Sequence, residues 1–159
     1  MLVTREADYA IRCVLEVAKH DRISAAQVAK LQEISPTFLG KIVQSLARSG
    51  IVTTRRGVGG GIALAVPVES ITLLRVIEAV EGPLCLNDCL TTPPQCKHTD
   101  TCPAFSYLGK AQESLRSILD VSFAKMIEDR AEATVAKRLE ALSGNGQRPQ
   151  QKRGGGDAA

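Results

Sequence analysis

The chain has 159 residues and a mass of 17.0 kDa, the size of one domain or of one domain with an appendage. An apolar fraction of 44% is enough to bury a core, which excludes wholesale disorder. Aromatic residues make up only 3% with no Trp, which argues against base stacking on single strands as the main activity, and the net charge of +3 permits DNA binding without demanding it.

The N-terminus carries Glu6 and Asp8 where a signal peptide needs an apolar stretch. The longest apolar runs, such as Ile62 to Val66, fall far short of the roughly 18 residues of a membrane span. A soluble, cytoplasmic protein with no membrane contact is expected. Residues 1–66 hold nine basic and five acidic side chains, so the basic excess lies in the N-terminal part.

From Glu6 to Lys19 the apolar residues Ala7, Ala10, Ile11, Val14, Leu15 and Ala18 recur at helical spacing. Ser24 then caps a short helix, Ala25 to Leu31, with Gln27 placed to complete a capping box. After a turn at Gln32 to Ile34, Ser35 and Pro36 open a third helix, a capping hydroxyl followed by the residue best tolerated in a first turn. That helix buries Phe38, Leu39, Ile42, Val43 and Leu46 and ends at Gly50. Two short helices joined by a three-residue turn are a helix-turn-helix signal.

Ile51 to Thr54 predicts a strand, Arg55 to Gly61 a basic glycine-rich turn, and Ile62 to Val66 the returning strand. A hairpin with a basic tip directly after a recognition helix is the pattern of a winged helix. Ser70 or Thr72 caps a fourth helix stopped by Glu81-Gly82-Pro83. Residues 84–102 form a loop too long to stay unorganised unless something ties it down. Pro103 opens a long helix whose Ala104, Leu108, Ala111, Leu115 and Ile118 step by four, three, four and three. That is a coiled-coil seam with no partner left in its own chain, so a second copy is expected to supply one. Ser122 caps a further helix to Leu142, and the tail from Ser143, with no large apolar residue, is expected to be disordered.

Cys85, Cys89, Cys96 and Cys102 fall within 18 consecutive residues, and only Cys13 lies elsewhere. A disulfide staple does not suit a reducing cytoplasm, so metal or cluster ligation is the better reading. Cys13, on the first helix, is expected in the core. No nucleophile elbow or nucleotide-binding signature is present, which speaks against an enzyme.

With the winged helix, the cysteine loop and the seam helix in this order, the chain resembles the IscR/NsrR-type (Rrf-two) family of bacterial transcription regulators. The resemblance runs from about Met1 to about Asp129 and is most specific at Leu2 to Val17, at the Arg55-Arg56-Gly57-Val58-Gly59-Gly60-Gly61 wing and at Cys102-Pro103. It implies a homodimer that binds palindromic double-stranded promoter DNA. It also implies an iron–sulfur cluster (2Fe-2S or 4Fe-4S) on Cys89, Cys96 and Cys102, spaced by six and five residues. Thiolates are soft donors that hold such clusters. IscR-like members add a histidine three residues after the third cysteine, where this chain has Phe105. NsrR-like members resemble it instead at Asp8, an aspartate that reaches the partner's cluster in trans. A solvated carboxylate at Asp8, and His98 as a weaker fourth donor, stay open. So do zinc on four thiolates and the role of Cys85.

The resulting expectation is a mainly α fold: a winged helix-turn-helix with a short β-hairpin wing and a long C-terminal dimerisation helix. Its parts are a DNA-binding domain over 1–82, a cysteine loop over 83–103, the dimerisation and C-terminal helices over 104–142, and the tail 143–159. Ser35, Pro36, Thr37, Lys41, Gln44 and Arg48 are expected to face the major groove, and Arg55 and Arg56 the minor groove. The function expected is transcriptional repression set by a cluster that senses iron, redox state or nitric oxide. A cluster-free regulator using its cysteines for zinc or as thiol switches is the first alternative, and a cluster-carrying electron-transfer or scaffold protein the second.

Overall fold

A computed structural model describes the backbone of residues 4–143 and the side chains of residues 4–137. Its elements are α1 (Arg5–Val17), α2 (Ala25–Gln32), α3 (Pro36–Arg48), β1 (Val52–Arg55), β2 (Gly61–Leu64), α4 (Leu73–Glu81), α5 (Phe105–Leu119) and α6 (Phe123–Ser143). The fold is mainly α, with one two-stranded antiparallel hairpin. Among the described residues no helix is long and apolar enough to cross a membrane. Apart from Ser143, which ends α6, the expected tail lies outside the described residues.

Each early helix starts where a side-chain oxygen can take up free backbone N–H groups. The Thr4 hydroxyl accepts from Glu6 and Ala7, Ser24 and Gln27 form the capping box of α2, and Ser35 accepts from Phe38 with Pro36 as the first residue of α3. Helix α1 is shorter than the apolar pattern predicts, ending at Val17 with Ala18 as its cap. Helix α2 ends at Glu33, whose φ of 56° is left-handed, an unusual state for a side-chain-bearing residue. That reversal drops Ile34 into the core before Ser35 restarts the chain. Thr72 caps α4, while Ser70 sits in a preceding 3-10 turn.

The core joins Ala10, Cys13, Val14 and Val17 of α1 to Val28 and Ala29 of α2, to Leu39, Ile42 and Leu46 of α3, and to Ile51, Ile62, Ile71 and Val76. Phe123 belongs to it as well and is fully buried. Leu73 N–H donates to Val121 O at 2.9 Å and Phe123 N–H to Ile71 O at 2.8 Å, so the chain leaving α5 returns to the start of α4. The first compact unit accordingly runs to Met126. The second begins inside α6 at Ile127, and its described side chains through Lys137 are exposed.

One buried acid bridges the ends of α1 and α2. Glu16, 6% exposed, accepts from Lys19 Nζ at 2.7 Å and Gln32 Nε2 at 2.8 Å, and pairs with the His20 ring at 3.2 Å. The Lys19 hydrogen bond is the main cause that holds its carboxyl below the usual range, against the opposing effect of burial. A carboxyl with a lowered folded pKa stabilises the fold above its unfolded pKa of about 4.3, and that stability disappears as pH falls through the folded value. Glu16→Gln is therefore expected to lower stability by about 1–3 kcal/mol at neutral pH and to flatten the acid side of a urea-midpoint profile. An unchanged profile would show that Glu16 carries none of the acid sensitivity.

Candidate functional site

The helix-turn-helix presents one polar face. Ser35, Pro36, Thr37, Gly40, Lys41, Gln44 and Arg48 are exposed, while Leu39, Ile42, Val43 and Leu46 are buried behind them. Arg48 is held along its own helix, donating from Nε to Gln44 O at 3.4 Å and from a terminal nitrogen to Ser45 Oγ at 3.1 Å. The Ser35 oxygen is already engaged in capping α3.

Residues that the sequence pattern did not mark fix this face in place. Arg75 of α4 donates to Ser49 O at 3.2 Å, Gly50 O at 3.4 Å and Ser70 O at 3.2 Å, closing the carbonyl end of α3. Arg12 of α1 donates to the side-chain and backbone oxygens of Gln32, securing the end of α2. The Tyr9 ring meets Phe38 edge-on with centroids 5.6 Å apart, so α1 also sets the roll of α3.

The wing is an antiparallel hairpin paired from Val52 with Leu64 to Arg55 with Gly61. Ile23 and Ile62 exchange backbone hydrogen bonds of 3.0 and 2.7 Å, which attaches the hairpin to the chain before α2. Two glycines are sterically required. A Cβ on Gly60 would stand 2.3 Å from Arg55 O, and one on Gly61, at φ +143°, 2.5 Å from Ile23 O. Arg55 and Arg56 are exposed at this tip with no carboxylate partner among the described residues. The hairpin, α3 and the cations thus form one surface suited to a polyanion.

The cysteine loop is held to both flanking helices. Glu78 Oε1 of α4 accepts from Leu84 N–H at 3.0 Å and from Arg116 of α5 at 2.8 Å. Gln112 Oε1 of α5 accepts from Leu86 N–H at 3.0 Å. This anchoring changes the reading of α5. Residues 108, 109, 112, 115, 116 and 119 are half-buried and α5 packs on α4 and the Asp88–Leu90 turn, so the helix does have a partner in its own chain. Leu108 and Leu115 of the expected seam belong to that half-buried set. Ala111 and Ile118 of that seam are exposed, and with Tyr107 and Ser114, also exposed, they form a stripe stepping four, three and four.

Cys89 is buried in the Asp88–Leu90 turn, and Cys85, Cys96 and Cys102 are half-buried. Cys85 donates to Asn87 O at 3.1 Å. Cys13 lies in the core, where burial pushes its thiol up to about 12, and takes no part in the loop. Asp8 is exposed on α1 and pairs with Arg12 at 3.6 Å. Three loop thiols suit a soft metal by donor type. Among the described residues no three His, Cys, Asp or Glu side chains are gathered to hold one metal ion. His98, at the head of the Thr99–Thr101 turn, joins no such group either.

The Rrf2 family, described as iron-dependent transcriptional regulators, matches residues 3–129. The transcriptional regulator NsrR of Shouchella clausii is 34% identical over 127 residues, which span 76% of this chain and 82% of that protein. Among solved structures, T. potens IscR covers 84% of this chain and 90% of its own at a TM-score of 0.67 and 24% identity. CymR of B. subtilis, the global cysteine regulator of that organism, covers 77% and 92% at a TM-score of 0.62 and 22% identity. These two likenesses carry the winged-helix fold, and the family and its NsrR relative carry a role in DNA-binding regulation rather than catalysis or electron transfer. The chain belongs to the Rrf2 family of winged-helix transcriptional regulators.

Proposed function

We propose that this protein is a cytoplasmic homodimeric repressor that binds a roughly palindromic promoter duplex and answers to iron, redox state or nitric oxide through an iron–sulfur cluster. The observation that carries this reading is the anchoring of the cysteine loop. Glu78 joins the loop entrance to α4 and to Arg116, and α4 also carries Arg75, which closes the end of α3. A change in the loop therefore has a short covalent and hydrogen-bonded route to the DNA-reading helix, the physical link that a switch requires.

Cys89, Cys96 and Cys102 would hold the cluster, with Asp8 of the second protomer as the fourth donor. Such a cluster would supply a centre that small oxidants and nitric oxide modify. Asp8 must leave Arg12 to ligate, and a carboxylate is a harder, weaker donor for iron than thiolate. A cluster-free regulator with thiol switches is the second reading, favoured by the ungathered thiols. Anaerobic purification with iron and sulfide assays and visible absorption separates the two. The cluster reading expects a chromophore lost in Cys96→Ala and kept in Cys85→Ala and Cys13→Ala. Colourless, iron-free wild-type protein after anaerobic reconstitution would leave the second reading standing.

On DNA, α3 enters the major groove through Thr37, Lys41, Gln44 and Arg48, with Ser35 and Pro36 at its leading end. Arg55 and Arg56 lie at the flanking minor groove or its phosphates. A two-fold dimer places half-sites about one helical turn, or a multiple, apart. Arg55→Ala with Arg56→Ala is expected to flatten the slope of log K against log salt by about two, as two phosphate-range cations are lost. Gln44→Ala should instead change sequence preference at about 1–3 kcal/mol. Salt titrations on one duplex distinguish the effects, and an unchanged slope in the double variant would remove the wing from the interface.

A further inference from the structure

The last turn of α4 and the entrance of the cysteine loop border a cavity of about 450 Å³ that neither the DNA face nor the Cys89, Cys96 and Cys102 set uses. Its walls are aliphatic. Ile77 of α4 and Leu84 are buried and Leu86 is half-buried. Small-molecule sites have this size and combine apolar walls with a few placed polar groups. Two polar side chains line this one, the Cys85 thiol and the Glu81 carboxylate. The thiol is already engaged with Asn87 O at 3.1 Å. The carboxylate is the group left to orient a ligand.

Glu81 stands where a negative charge is least favoured. It is the last residue of α4, at the negative end of the helix dipole, and no basic side chain stands in that turn. Glu78, one turn back, has Arg116 at 2.8 Å. Glu81 accepts a hydrogen bond from the neutral Thr4 hydroxyl, and no cation pairs with it among the described residues. Residues 67–103 as a whole carry five acidic and two basic side chains. From this geometry we propose that the cavity binds a small aliphatic ammonium, its cationic head on Glu81 at the carbonyl end of α4 and its hydrocarbon body against Ile77, Leu84 and Leu86. The charge count narrows the class. With no Lys, Arg or His in the wall, a zwitterionic amino acid would leave its carboxylate unpaired beside a negative helix end. A polyamine would leave its second ammonium without an anion, and a metal cation gains nothing from aliphatic walls. The ligand is therefore a monoamine. It touches α4 and the loop entrance together, the joint that Glu78 also spans, and the site stands whether or not the loop carries a cluster.

The probes are pentylamine, its neutral counterpart pentanol, and norleucine, which is pentylamine with a carboxylate added. Each is titrated into the full chain at neutral pH, and the methyl resonances of Ile77, Leu84 and Leu86 report occupancy. Pentylamine should shift them saturably and bind about fivefold more tightly than pentanol or norleucine, the scale of a solvent-accessible ion pair supported by a helix end. Added salt should narrow that preference, because an accessible pair is screened. Glu81→Gln should bring pentylamine to the affinity of pentanol and leave pentanol itself unchanged. Glu69→Gln, at an exposed carboxylate outside the cavity wall, should keep the preference. Equal binding of pentylamine and pentanol to the wild-type protein, or a preference that survives Glu81→Gln, would overturn the ammonium site. Methyl resonances that none of the three probes shifts would overturn the cavity as a ligand site.

Discussion

Replacing both Tyr107 and Ile118 by glutamate is expected to give monomers and to weaken binding to a two-half-site duplex by a hundredfold or more. The two side chains are 74% and 71% exposed on α5, aligned with Ala111 and Ser114 along one face. A monomer loses the second half-site, and with it the high effective concentration that linkage provides, commonly a factor of 10² or more. The choice of residues matters. Leu108 and Leu115 share the four-three pattern, but they lie among the half-buried positions of α5, the helix that receives the cysteine loop. Glutamate there would damage the protomer itself and confound assembly with folding. Sedimentation at low micromolar protein, with circular dichroism to confirm the fold, reads the Tyr107 and Ile118 variant cleanly. A persistent dimer would show that the exposed stripe is not the interface.

That distinction marks how far the sequence could be read. Capping chemistry is local, so Thr72, Ser24 with Gln27, and Ser35 with Pro36 announce their helices within a few residues. The wing is local at Gly60, which is needed by the backbone of Arg55 to Gly57 beside it, whereas Gly61 answers to Ile23 O from far back in the chain. Periodicity established that α5 is a helix with an apolar seam. It could not say which of two adjacent stripes faces the chain's own loop, since that depends on Glu78 and Gln112 reaching across from distant positions. Arg75 was silent for the same reason: its acceptors are backbone carbonyls, which have no sequence signature. The left-handed Glu33 was also hidden, because no glycine or asparagine advertises the turn. The eight residues proposed to face DNA were marked in the sequence as the outward side of an amphipathic helix and as a basic hairpin tip, and all eight are exposed. The thiols were legible as a spacing, and their positions in three dimensions were not.

Phe123 carries the second large effect. It stands just after the break at Val121 and Ser122, where the sequence suggested only the start of another helix, yet it is fully buried as a member of the main core. Its N–H donates to Ile71 O, Leu73 returns a bond to Val121 O, and Ser122 pairs with Thr72. The chain that has passed through the cysteine loop and α5 is thereby fastened at the first turn of α4, the helix bearing both Arg75 and Glu78. Phe123→Ala removes a buried ring and leaves a cavity in a close-packed core, which costs about 3–5 kcal/mol. For a domain whose total stability is of order 5–15 kcal/mol, that is a large share. The urea midpoint should fall accordingly, and Tm by about 10–20 °C. Ile127→Ala, four residues on and already exposed, should change stability by no more than about 0.5 kcal/mol. A loss below about 1 kcal/mol for Phe123→Ala would mean that α4 and the DNA-reading helices hold together without the returning chain. The loop would then reach the helix-turn-helix through α4, by its covalent join at Gly82 and Pro83 and by Glu78.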